Sequence, residues 1–154
     1  MLLNKLLVIA VATLMLAGCK KDDTEKIEMN EDWRFFRFSS CPAENHGNWQ
    51  DTSFIAATAD PNVIQQCLDQ LAVPFDERNL FPLGLLANGS GGYNTNASHH
   101  FSWHLKEDDW ELVEMSVEIY DGCAYSDAEL GNYLENVQRY GGWSNRVLEE
   151  ITFD

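Results

Sequence analysis

The sequence predicts an α+β fold: one antiparallel sheet of about four or five strands with two helices packed on one face. Three observations carry this expectation. Short aromatic or apolar runs suited to strands recur along the chain, as in WRFFRF at 33–38, at Phe54–Thr58 and around 99–105. One stretch, 62–72, spaces its apolar residues near 3.6 instead of 2. Residues 33–154 number about 120, enough for a single core and too few for two.

Ahead of that domain, residues 1–18 hold one lysine, Lys5, and then an apolar run too short to span a bilayer as a mature helix. The run ends in Leu16-Ala17-Gly18-Cys19, the pattern by which bacterial lipoproteins are recognised, in which the cysteine is acylated and becomes the new N-terminus. Residues 1–18 are therefore expected to be a lipoprotein signal peptide, and 19–32 the lipidated Cys19 followed by a flexible tether. The tether, KKDDTEKIEMNE from position 20, has no repeating apolar face. Each buried acyl methylene contributes about 0.8 kcal/mol, so several chains hold the domain on the membrane. Lys20 in place of an aspartate after Cys19 resembles lipoproteins sent to the outer membrane. The expected location is the bacterial cell envelope, at the outer membrane, facing the periplasm or the exterior.

Charge narrows the partners. The chain has 25 acidic and 10 basic residues, a formal charge of −15, and loss of Lys5 with the signal makes it −16. Nucleic acid is excluded, because phosphate binding needs clustered lysine and arginine. An envelope protein or a small ligand remains.

In chain order, 33–38 suits a strand, and the loop after it contains Pro42 and Gly47. A short strand at Phe54–Thr58 precedes Asp60-Pro61, a helix start with a capping carboxylate and a proline where its missing N–H costs nothing. Val63, Ile64, Cys67, Leu68 and Leu71 then form an inward helical face that Pro74 ends. Residues 80–87 fit an edge or bulged strand, given Pro82 and Gly84. Gly89, Gly91 and Gly92 predict a wide turn with positive φ angles. The stretch 99–119 is expected to be a hairpin, with 106–110 as an acidic loop and Trp103 and Leu105 facing Val113 and Met115 across one core. Ser126 or Asp127 caps a second helix whose face includes Leu130, Leu134 and Val137 and which Gly141-Gly142 ends. The last segment, 143–153, is a strand or a short helix.

On the polar face of that hairpin, His100 and His104 would lie against Glu114 and Glu118, a candidate acid/base set. The histidines are four apart on a strand, about 13 Å, too far to share one metal ion, so no metal or cofactor is expected. With Cys19 lipidated, Cys41, Cys67 and Cys123 remain in an oxidising compartment. A Cys41–Cys123 bridge is preferred, with a Cys67–Cys123 bridge or three free thiols as alternatives.

Several segments occur in an order similar to a known family: Phe54–Thr58 with Asp60-Pro61, Gly91-Gly92-Tyr93-Asn94, Trp103-His104, Trp110 to Glu114, Asp121-Gly122, and Trp143-Ser144 with Arg146. They resemble the small secreted BP-seventy-four N-terminal domain over about 54–148. The resemblance implies an exported α+β domain and carries no established reaction. Some bacterial relatives bear the label calmodulin, but neither 106–117 nor 121–132 has the ligand spacing of a calcium loop. The expected function is non-enzymatic binding of a protein or ligand, with Gly91, Gly92, Asn94, Trp103, Trp110, Trp143 and Arg146 as candidate contacts. The alternatives are a periplasmic hydrolase using a His/Glu pair and a protease-inhibitor-like module.

Overall fold

The structure is a computed structural model and describes residues 29–39, 51–98, 100–115 and 133–153. In chain order its elements are β1 (Arg34–Phe38), β2 (Phe54–Thr58), α1 (Pro61–Leu71), β3 (Phe81–Asn88), β4 (Trp103–Val113), β5 (Arg139–Gly141) and β6 (Val147–Ile151). They form two three-stranded antiparallel sheets, ordered β2-β1-β6 and β4-β3-β5. Among the described residues the fold is mainly β with one α-helix, and two three-stranded sheets stand where a single sheet was expected. Most of the expected second helix falls on 116–132, outside the described residues. Its last part, Tyr133–Val137, is a single π-helical turn. Gln138, at φ 57°, closes that turn, and Gly141 belongs to β5 instead of ending a helix.

Alternation in WRFFRF divides the first sheet between two apolar layers. Phe36 and Phe38 enter the main core with Phe54, Ala56, Trp103, Leu105, Trp110, Leu112 and Tyr140. Phe35 points the other way and joins Ile55, Ala57 and Tyr93 in a smaller cluster. Helix α1 forms as its sequence implies. The Asp60 carboxylate accepts the Asn62 N–H at 2.8 Å, Pro61 occupies the first turn, and Val63 and Cys67 are buried against the core. Cys67 is a free thiol, and burial pushes its pKa up to about 12, so the Cys67–Cys123 alternative is not formed. Cys19, Cys41 and Cys123 lie outside the described residues.

The expected hairpin at 99–119 is not formed in its described part, 100–115. Residues 106–110 do not turn; they continue β4, an eleven-residue strand that pairs with β3 on both sides of a bulge. The reason is a change of phase. Leu105 pairs with Leu86 and Trp110 with Gly84, so four residues of β4 bulge against the single Leu85 of β3. Main-core side chains therefore fall on odd positions before the bulge, Trp103 and Leu105, and on even ones after it, Trp110 and Leu112. Met115, expected inside, is 86% exposed. Gly84 permits the close approach, since a Cβ there would lie 2.2 Å from the Trp110 Cβ. β3 is thus the central strand of its sheet, not an edge. Pro82 is tolerated because β5 pairs only with Leu83, Gly84 and Leu85, which leaves a neighbour on one side at Pro82.

The two sheets meet along β2 and β4, both edge strands, and side chains supply the hydrogen bonds a neighbouring strand would have made. Asn94 accepts the Ile55 N–H at 2.9 Å through Oδ1 and donates to the Trp103 carbonyl at 2.8 Å through Nδ2. The Tyr93 hydroxyl sits 3.3 Å from the Leu105 carbonyl. Trp110 Nε1 donates to the Ala57 carbonyl at 2.7 Å. Side chains in this way meet the Ile55 N–H and the Ala57 carbonyl on one edge and the Trp103 carbonyl on the other.

Replacing Asn94 by alanine strands the buried Ile55 N–H and Trp103 carbonyl together. The expected loss is about 3 kcal/mol, at about 1–3 kcal/mol for each unsatisfied group. In urea unfolding this should appear as a lower midpoint with an unchanged m value.

Candidate functional site

The glycine-rich turn serves the clasp between the sheets. Gly89, Gly91 and Gly92 all have positive φ, as their sequence predicts. At Gly91 a Cβ would lie 2.7 Å from the Tyr93 ring and 3.2 Å from the His104 ring, so the backbone passes directly over both. Asn94 and Trp103 are 0% exposed and Trp110 is buried. Of the candidate contacts, these three face the interior and hold the sheets together.

His104, 9% exposed, has both ring nitrogens engaged. Nδ1 lies 2.6 Å from the Gly89 carbonyl, which can only accept, so Nδ1 carries the hydrogen. Nε2 is 3.5 Å from Glu107 Oε1, and that oxygen also accepts the Tyr93 hydroxyl at 2.9 Å. The expected His104–Glu114 pairing is not formed, because β4 runs on without turning, which carries Glu114 beyond its far end and presents Glu107, three residues on, in its place. Burial, together with the neighbouring Glu107 carboxylate, pushes the Tyr93 hydroxyl far above its usual range. His100 is exposed and bridges Thr95. Glu118 lies outside the described residues. No group of three or more metal-ligating side chains occurs among the described residues.

A different surface gathers the exposed candidates. Trp143 is 49% exposed and sits in a tight turn over 142–145, closed by the Asn145 N–H to the Gly142 carbonyl at 3.0 Å. The turn is pinned from inside. Asn145, fully buried, accepts the Tyr140 hydroxyl at 2.5 Å and donates to the Ser39 carbonyl at 2.8 Å. Gly142 is obligatory, since a Cβ would lie 2.1 Å from Asn145 Oδ1. Trp143 tilts toward Phe81 with ring centroids 6.4 Å apart. Around them Asn79, Phe81, Glu114, Met115, Trp143 and Arg146 line a groove of about 450 Å³. Arg146 donates through Nε to the Arg78 carbonyl at 2.7 Å and through Nη1 to the carbonyls of Trp143 and Asn145 at 2.5 and 2.8 Å. Burial lowers its pKa. Glu114 accepts the Asn79 amide at 3.2 Å. Asn79 is placed by helix α1, whose Gln70 Oε1 receives the N–H groups of Asn79 and Leu80 at 3.0 and 3.1 Å.

Sequence reasoning singled out Trp143, Arg146 and Glu114 but did not join them, and it passed over Asn79, Phe81 and Met115 as site residues. One signal was available: glycine before Trp143 and asparagine two residues after it mark a turn that exposes the aromatic side chain.

The model of one protein family, the BP-seventy-four N-terminal domain, matches residues 34–154. No curated protein and no solved structure matches the chain.

Two stability comparisons check this division between scaffold and surface. Gly142→Ala should cost about 2 kcal/mol or more through the clash with Asn145, whereas Trp143→Ala should cost less than about 1 kcal/mol in the same denaturation assay. Alkaline pH gives the second. Tyrosine in the unfolded chain ionises near about pH 10, while folded Tyr93 keeps its proton. Below that pH both states hold the proton; above it only the unfolded chain releases it. Stability should therefore fall by up to about 1.4 kcal/mol per pH unit above about pH 10, and Tyr93→Phe should remove this component of the slope.

Proposed function

The chain belongs to the BP-seventy-four N-terminal domain family, and on that premise we propose that it is a non-enzymatic binding domain, held on the bacterial cell envelope by lipid on Cys19, that takes its ligand in the Trp143 groove. The observation that carries this reading is the Trp143 turn. A large aromatic side chain is held half in solvent by a buried asparagine network, beside an arginine whose plane is fixed by three carbonyls. Rigid, exposed aromatic and arginine side chains at the rim of a concave surface are the residue types that dominate recognition. A surface of this kind needs no catalytic set, and the His/Glu pair required by the hydrolase reading is not formed between His104 and Glu114. No observation favours the protease-inhibitor reading.

The anchor is supported by the Leu16-Ala17-Gly18-Cys19 sequence and by the charged tether that follows it. Outer-membrane placement is supported by Lys20 alone.

Labelling cells with a palmitate analogue should tag the wild-type chain and leave Cys19→Ser untagged and released from the membrane fraction. Equal labelling of both contradicts the anchor. For binding, envelope extract is passed over immobilised wild-type and Trp143→Ala chains. A component retained by the wild type and lost from the variant is the expected result; identical recovery from both contradicts the groove.

A further inference from the structure

Arg146, unlike Arg34, Arg37 and Lys106, holds its charge against carbonyls alone, as Arg78 also does. Arg34 forks onto Glu150 at 2.5 and 2.6 Å, Arg37 lies 2.9 Å from Glu149, and Lys106 lies 3.9 Å from Asp109. Arg146 has no carboxylate within salt-bridge distance among the described residues. Its three bonds to the carbonyls of Arg78, Trp143 and Asn145 use Nε and Nη1. Of the five N–H groups of a guanidinium, the two on Nη2 keep no partner among the described residues. Burial lowers the pKa of this group, which fits a charge partly removed from water with no anion to compensate it.

The neighbours of Arg146 complete the pattern. The groove walls are apolar, from Phe81, Met115 and Trp143. Trp143 Nε1 is a further N–H donor with no partner among the described residues. The one acidic side chain in the lining, Glu114, holds the Asn79 amide through Oε1. A fixed guanidinium whose Nη2 meets no anion, set at the rim of an apolar cleft, is complementary to an anion attached to an apolar body.

Resting on the reading of this groove as the binding surface, we infer that its ligand is an organic monocarboxylate with an apolar or aryl body. The carboxylate meets the Nη2 side of Arg146, and the body lies across Trp143 and Met115. Glu114 then sets the selectivity, because its charge repels a second carboxylate carried on the same ligand. The formal charge of −15 works in the same direction.

The probes are N-acetylphenylalanine and its neutral amide, which share one body and differ in the carboxylate. Each is titrated into the purified chain while the Trp143 indole N–H resonance, assigned by its loss in Trp143→Phe, is followed. The acid should bind roughly tenfold more tightly than the amide, the scale of one charge-assisted contact. Glu114→Gln, an exposed position, should strengthen acid binding by about threefold. Equal or tighter binding of the amide, or weaker acid binding in Glu114→Gln, overturns the carboxylate assignment. If neutral aryl compounds shift the resonance and the acid does not, the groove stands and the carboxylate falls. If no probe shifts it, both the assignment and the groove reading fail.

Discussion

The whole architecture depends on how the free edge of β2 is closed. Antiparallel pairing with β1 satisfies one side of that strand and leaves the N–H and C=O groups of alternate residues pointing away. With Ile55 and Ala57 almost fully buried, such groups cannot turn to water, and leaving them unmet would cost about 1–3 kcal/mol each. The molecule meets them with side chains. Asn94 takes the Ile55 N–H, and Trp110 gives its indole N–H to the Ala57 carbonyl. Because Asn94 also reaches the Trp103 carbonyl and the Tyr93 hydroxyl lies 3.3 Å from the Leu105 carbonyl, side chains close the edge of β4 as well. Two short sheets are thereby joined without a continuous backbone ladder.

This closure divides the chemically distinctive residues of the chain between two tasks. Tyr93, Asn94, Trp103, His104 and Trp110 carry polar atoms, yet they are buried at the seam, where those of Tyr93, Asn94 and Trp110 replace a strand. The Trp143 turn is built in the opposite sense. Its buried asparagine and glycine hold the backbone from within, while the indole and the neighbouring arginine stand at the surface. The seam and the groove share β4: Trp103 and Leu105 at one end contact the clasp, and Glu114, just beyond the other end, lines the groove.

Local features were legible in the sequence where one short segment contains the whole cause. Asp60-Pro61 with five apolar residues at helical spacing predicts α1, WRFFRF predicts β1, and the glycines at 89, 91 and 92 predict positive φ. The course of β4 was not legible. Its hydrophobic phase shifts at a bulge that only the partner strand β3 imposes, and four charged residues in a row, Lys106 to Asp109, read as a loop in isolation. The burial of Asn94 was hidden for a similar reason. An asparagine two residues after a glycine pair signals a turn, and nothing local shows that two strand edges converge on its amide. The groove joins Asn79, Glu114 and Trp143 from three distant segments, so the sequence offered its members singly and not as a set.

The most direct test of the clasp is residue-resolved amide hydrogen exchange under native conditions. Ile55 lies on a sheet edge and would exchange quickly if that edge were open. With its N–H held by Asn94, it should exchange as slowly as the core amides, through global unfolding alone, while the Trp143 indole N–H exchanges rapidly. Fast exchange at Ile55 would contradict the account, because the two sheets would then be held by apolar contact without the side-chain bridge.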